Sequence, residues 1–535
     1  MRLESWFPKV AFVGLAVFLV SLFAAARGIS SAGSSSTMAT FSQILSLIEQ
    51  KHVPEADPKA VIYAGIGGML DTLDPHTNFL DDEAFRDMRD EQRGSFYGLG
   101  IVISKRGRSQ PLRVVSPIAD TPAARLGVRA GDVITHIRDE RADVDVDTLG
   151  LTIQDSVKYL RGPRGTTVEI TVNRPGLKKP IVFKVVRDAI RTPAVNLSFM
   201  LRPDVGYIHV ANFTETTTPE LDRAIEDLSG KGATKLVLDL QGNPGGLLDQ
   251  AVAFASRFLT PDELVVYTEG RLPGSRQDYR ALRDVPRVEW PVVVILNRGS
   301  ASASEIVAGA IQDHDRGLVA GETSFGKGLV QSVYPLSEGT GLALTTQKYY
   351  TPVGRSIQRP YTTEEEYYYE NFTRGEDAPQ RPKGKVFHTE TGRVVYGGGG
   401  ITPDVEVKQT SDPEVLLRLG RESAFARFVT PLGDETRAAY AADPSSMFDD
   451  FVAWVTKELP EIQLEDLREA SERGKLYLRA ELALATGGME ARDRVLTDAS
   501  PVIRKALESF DKAEALLTAR ESLHRGRQAK ARKTR

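Results

Sequence analysis

A serine set among glycine and alanine stands at position 302, in the run NRGSASASEIVAGAIQD that follows the continuously apolar stretch VVVILN at 292–297. The pattern predicts a buried strand, a tight turn of small residues, and a helix whose first turn carries Glu305. Such a junction suits a nucleophile. Small neighbours let a substrate backbone approach, and the start of a helix offers unpaired N–H groups to a forming oxyanion. The same residues also describe an ordinary serine cap, which is common and stabilises a helix by about 1 kcal/mol. Two more glycine-rich turns add weight to the chemical reading: QGNPGG at 241–246, after the apolar run KLVLDL, and TSFGKGLVQ at 323–331.

A serine nucleophile needs a base. The chain has no cysteine and seven histidines, at 52, 76, 136, 209, 314, 388 and 524, none in the context of a triad. His314 is nearest in sequence but falls at the far end of the helix that begins beside Ser302. Lysine can act instead if burial holds it neutral, and Lys327 has Phe325, Leu329 and Val330 around it. Gln331, four residues on, can share a face with Lys327 and orient its amine. Ser300 and Ser304 serve equally well as turn or cap residues.

Ser302 within SASAS, Lys327 twenty-five positions later and Gln331 four beyond that resemble the carboxyl-terminal processing peptidases, or tail-specific proteases. The resemblance extends through LDPHTNFL, YGLGI, AARLGVRAGDVI, LRGPRGT, LDLQGNPGG, FGKGLVQ, YYTPVGRSIQ and GGGGITPDV, covering roughly 41–407. It implies an α/β, ClpP/crotonase-like layered protease core with an inserted β-rich PDZ domain and helical terminal regions. It also implies that Ser302 attacks the scissile carbonyl, Lys327 takes its proton and Gln331 supports the lysine. The oxyanion hole maps onto the N–H of Ala303 and of Gly245 or Gly246. In the PDZ domain Leu99, Gly100 and Ile101 are expected to receive the peptide's carboxyl end. No metal or other cofactor is implied. Gln241 departs from the family, which usually has arginine there, so a neutral hydrogen bond should replace an ion pair.

The elements that must position these residues follow from periodicity. Helical spacing governs 37–94, short alternating strands 95–187, and alternating strands and helices 188–410. Residues 360–395 read as an irregular surface excursion, 411–518 as a separate helical region, and 519–535 as a basic disordered tail. At the other end, 1–36 hold an uncharged apolar run at 10–26 behind Arg2 and Lys9, followed by a Gly/Ser linker. That run is an export signal, either cleaved or retained, with retention as an inner-membrane anchor the expectation. The remainder would then lie outside the cytoplasm, in the periplasm.

Composition narrows the partners. A net charge of -4, from 68 basic and 72 acidic residues, gives no field that favours nucleic acid. The partners expected are proteins or peptides with apolar free carboxyl termini, an adaptor protein on the helical 411–518 region, and the membrane. The function expected is an endopeptidase that cuts exported proteins near their carboxyl termini. The competing reading is a catalytically silent, PDZ-containing scaffold or ligand-binding protein of the same fold.

Overall fold

The computed structural model describes residues 36–533, except 106–107, 119, 130, 175–176, 364–365, 368–383 and 409–411. The apolar run at 10–26 lies outside the described residues, and among those described no helix is long and apolar enough to cross a membrane. The chain divides into two compact units: Met1–Asp82 with Gln331–Thr345, and Glu83–Val330 with Thr346–Arg535.

In the smaller unit, helix 36–51 precedes the helix Pro58–Leu70, which has proline in its first turn and the Asp57 carboxylate on Lys59 N–H at 3.0 Å. The LDPHTNFL turn is built on Asp74. Its carboxylate accepts from His76 N–H (2.9 Å), Thr77 N–H (3.1 Å), Thr77 Oγ1 (2.7 Å) and Thr345 Oγ1 (3.0 Å). Burial opposes the charge there, but these bonds outweigh it and the pKa is lowered. The strand Asn78–Leu80 then pairs antiparallel with 341–343.

The larger unit is organised by a six-stranded sheet in the order Val195–Arg202, Val205–Val210, Lys235–Asp239, Val292–Leu296, Leu318–Gly321 and Val405–Glu406. The first pair is antiparallel and the rest are parallel. Strands in such a sheet must be apolar on both faces. Val292, Val294 and Leu296 pack under the helices Thr217–Gly230, Leu248–Ala255 and Ala303–Asp313. Val293 and Ile295 point the other way, onto Val502, Ile503, Ala506 and Phe510.

That second face corrects two expectations. The helices Pro501–Leu507 and Phe510–Lys533 belong to the core of the six-stranded sheet, and among the described residues the segment from Val415 to Leu482 packs as a helical cluster of its own. The basic tail is helical as far as Lys533. Arg520 is buried, with Nη2 on both Glu263 oxygens at 2.7 and 2.8 Å, a partner 257 residues away in sequence. The excursion at 360–395 is also less irregular than its composition suggests: Tyr367 is fully buried, and Val386–His388 pairs with Val394–Tyr396.

Residues between Ile101 and Val186 form the module expected as a PDZ domain, a second six-stranded sheet with the helices Pro122–Arg125 and Ile153–Leu160 around Leu112, Ile134, Ile137, Val168 and Ile170. A fully developed capping box, Thr152 with Asp155, starts the longer helix. Arg187 is buried on Asp139 at 2.7 Å. Among the described residues, the strand Ile101–Ser104 lies at the sheet edge, paired only with Leu112–Pro117.

The last helix is fastened by a cluster at the end of Ala303–Asp313. His314 Nδ1 faces Glu390 Oε1 at 3.0 Å and its Nε2 faces the Leu264 carbonyl at 2.7 Å. Both partners are acceptors, so both ring nitrogens carry hydrogen. Glu390 also meets His524 Nε2 at 2.8 Å and Arg527 at 3.6 Å, while Glu263 and Arg520 complete the group. Burial disfavours the charged ring, but the Glu390 bond and the Glu263 charge outweigh it, raising His314 above 6.5. Burial likewise opposes the Glu390 charge, yet its two histidines hold it at about 2 against an ordinary 4.5.

The Glu390 contribution is therefore complete above about pH 4.5 and lost as the pH falls toward 2; that of His314 is complete below about 6.5 and lost as the pH climbs through its raised pKa. Glu390→Gln should lower the urea midpoint most between these limits and flatten both limbs of the pH profile. An equal loss at every pH would show that the carboxylate charge is not the anchor.

Candidate active site

Ser302 begins the helix Ala303–Asp313 with φ 54° and ψ −112°, a conformation that non-glycine residues rarely adopt. The helix behind it is buried at every residue, so the turn cannot relax by moving the helix. Of the three serines, Ser300 and Ser304 are fully buried with hydroxyls on the Leu240 carbonyl (2.8 Å) and the Asn243 carbonyl (3.0 Å). Ser302 is only half-buried. The two outer serines are structural, and the middle one is presented.

The turn after Lys235–Asp239 lies against it. A Cβ added at Gly245 would stand 2.7 Å from Ser302 Cβ and 2.9 Å from Ala303 N, so only glycine fits there, at φ +100°. Asn243, fully buried, joins the two turns. Its Nδ2 donates to the Val210 carbonyl (2.8 Å), its Oδ1 accepts Gly245 N–H (2.8 Å), and its carbonyl accepts Ala301 N–H (3.0 Å). The Gly245 carbonyl accepts from Phe213 N–H at 2.9 Å. On a trans peptide the Gly246 N–H therefore points away from Phe213. Neither Gly246 N–H nor Ala303 N–H has an acceptor among the described residues. Gly245 N–H is committed, which distinguishes the two glycines.

Lys327 is brought to the same helix start by a residue that the sequence presents only as a helix cap. Glu305 is fully buried, and its carboxylate accepts from Ser302 N–H (2.8 Å), Lys327 N–H (2.9 Å), Gly326 N–H (2.7 Å) and Ser324 Oγ (2.5 Å). Burial pushes this carboxyl up and the four bonds pull it down, leaving it at about 7. Phe325 and Leu329, both buried, flank the half-buried Lys327. The Phe325 ring packs edge-on against Tyr367 (5.1 Å) and under Arg359 (4.6 Å).

Gln331 belongs to the smaller unit, on the strand Leu329–Pro335. There its Nε2 donates to Thr345 Oγ1 at 3.3 Å, and that hydroxyl donates onward to Asp74. Gln241 donates its N–H (2.9 Å) and Nε2 (3.2 Å) to Asp239, which also accepts the Tyr207 hydroxyl at 2.8 Å. Neutral donors thus satisfy the buried Asp239.

In the PDZ module the Leu99 carbonyl accepts Ala123 N–H (3.0 Å), and the Gly100 carbonyl accepts Ile118 N–H (2.9 Å) and Thr121 Oγ1 (3.0 Å). The N–H groups of Gly100 and Ile101 on those peptides point the opposite way. Gly100 has φ +78°, and a Cβ there would come within 2.2 Å of Thr121.

A layered α/β core with a serine at a strained strand-to-helix turn, a lysine turn tied to it and an embedded PDZ module defines a serine-type peptidase. The chain matches the profiles of Peptidase family S41 over residues 204–367 and of the PDZ domain over 113–174. A carboxy-terminal-processing protease of Bartonella bacilliformis is 38% identical over 460 residues, covering 82% of this chain and 99% of its own. A carboxyl-terminal-processing protease of Picosynechococcus sp. is 36% identical over 300 residues, 56% of this chain and 70% of that one. Among solved structures, a photosystem II D1 C-terminal processing protease is similar at 30% identity with a TM-score of 0.36, over 69% of this chain and 86% of that one. The chain belongs to the carboxyl-terminal processing protease family.

Glu305 makes opposite demands on stability and activity. Its folded pKa of about 7 lies above the ordinary 4.5, so the folded state binds more protons between these values and stability falls as the pH rises through them. Four donors require the ionised form, so turnover should rise across the same interval. Glu305→Gln should remove the stability slope and reduce kcat at least about 10²-fold. Urea titrations and initial rates from pH 5 to 8 check both; an unchanged slope would mean that another group titrates.

Proposed function

We propose that Ser302 is the nucleophile and Lys327 the general base of an endopeptidase acting near protein carboxyl termini. The observation that carries this is the convergence of the Ser302 and Lys327 turns on the Glu305 carboxylate. Ser302 Oγ attacks the scissile carbonyl as its proton passes to Lys327 Nζ, forming a tetrahedral oxyanion. The same proton then passes to the leaving amine, and water repeats the sequence on the acyl-enzyme. The unengaged N–H groups of Ala303 and Gly246 support them as the oxyanion donors, at the start of a buried helix. For Gln331 as the residue that orients the amine, the support is its four-residue spacing from Lys327.

Substrate selection falls to the PDZ module. The edge strand Ile101–Ser104 suits pairing with an extended peptide, and the outward N–H groups of Gly100 and Ile101 suit its terminal carboxylate. Export, with residence in the periplasm on an inner-membrane anchor, is supported by the charge-flanked apolar run at 10–26. Docking of an adaptor protein is assigned to the separate helical cluster between Val415 and Leu482.

Ser302→Ala and Lys327→Ala should each lower kcat about 10³-fold or more toward a peptide with an apolar free carboxyl terminus while leaving its affinity intact. Amidating that peptide should raise KM without changing the cut position. Cleavage and binding assays with both variants check this, and turnover surviving in both would exclude the dyad.

A further inference from the structure

A buried tyrosine links the two turns just assigned to catalysis. Tyr349 lies on the strand Gly341–Tyr350 and is 1% exposed. Its hydroxyl meets the Ser302 carbonyl at 3.1 Å and also bonds the carbonyl of Lys327. Its own N–H donates to the Gly328 carbonyl at 2.9 Å, so backbone and ring are both fixed to the lysine turn. Opposite it in the ladder stands Thr268, itself fully buried. A phenol has one proton to donate, and here two carbonyl oxygens share it. Burial raises its pKa well above 10, so the hydroxyl stays a donor wherever the protein is folded.

We propose that Tyr349 is a positioning residue of the peptidase: its hydroxyl, shared by the carbonyls of residues 302 and 327, fixes the separation of the serine and lysine turns. The proposal rests on the dyad reading. The hydroxyl holds main-chain atoms of both residues and leaves their side chains to the reaction. Proton transfer between serine and lysine requires hydrogen-bond reach, and a displacement of about 1 Å costs about 10²-fold in rate. Losing the shared donor should thus slow turnover and spare recognition, which lies in the PDZ module.

Tyr349→Phe keeps the ring and removes only the hydroxyl. In the full chain, kcat toward a peptide with an apolar free carboxyl terminus should fall about 10- to 100-fold. KM should stay within about threefold, and affinity for the carboxyl-terminal peptide should hold. Tyr350→Phe, whose ring stacks on Tyr267 at 4.9 Å, should leave kcat unchanged. Normal kcat in Tyr349→Phe overturns the proposal. A fall in kcat matched by loss of melting temperature and peptide binding overturns it too, because the hydroxyl is then a folding element. Ser302→Ala, assayed alongside, separates the two levels. If it turns over, the dyad reading fails and the proposal with it; if it is dead while Tyr349→Phe is fully active, only the positioning role fails.

Discussion

A buried carboxylate governs the arrangement of this protease core. Glu305 lies in the first turn of a helix that is buried at every residue, where an ionised group without partners would cost several kcal/mol. It cannot turn to water, so donors must come to it. Ser302 N–H alone is not enough; the rest come from the Ser324–Lys327 loop, which folds over the helix start to supply them. A requirement of charge satisfaction thus brings the lysine turn to the serine turn. Ser324 shows that the constraint extends outward, since its oxygen also accepts Ile401 N–H at 2.7 Å and draws the GGGGI segment into the same network.

The sheet beneath obeys a second constraint. A parallel strand as apolar as Val292–Leu296 exposes two greasy faces, and the helices between its strands cover only one. The other is closed by helices more than two hundred residues downstream, through Val502, Ile503, Ala506 and Phe510. The carboxyl-terminal region is therefore part of the enzyme's core as well as an appendage. Its last helix is held at a cluster that includes His314, the residue at the opposite end of the helix that presents Ser302.

What the sequence discloses is what local chemistry encodes. Ser302, Lys327, the NPGG turn, the PDZ strands and the alternation of strands with helices are legible because small-residue turns and apolar periods are local signals. Glu305 is legible only as a cap, since a glutamate three residues into a helix has that ordinary use; its bonds to residues 324, 326 and 327 depend on tertiary folding. Tyr349 is legible only as the first residue of the YYTPVGRSIQ stretch, which gives no sign of its bonds to the serine and lysine turns. The basic run from Arg520 reads as solvated because charge dominates its composition, yet Arg520 and His524 find Glu263 and Glu390 far upstream. The two glycines of NPGG could be separated only by seeing which N–H Asn243 had already taken.

The strain at Ser302 is intelligible in these terms. A residue at φ 54°, ψ −112° costs on the order of 1–3 kcal/mol and persists only where its surroundings overdetermine it. Here they do. The N–H is held by Glu305; the carbonyl accepts Glu305 N–H at 2.9 Å, Ile306 N–H at 3.0 Å and the Tyr349 hydroxyl. Gly245 closes the remaining side at a distance no side chain would tolerate. Glycine at 302 would relieve the backbone but remove the hydroxyl. The fold fixes every main-chain polar group of this residue, and that leaves the half-buried side chain for the role proposed for it.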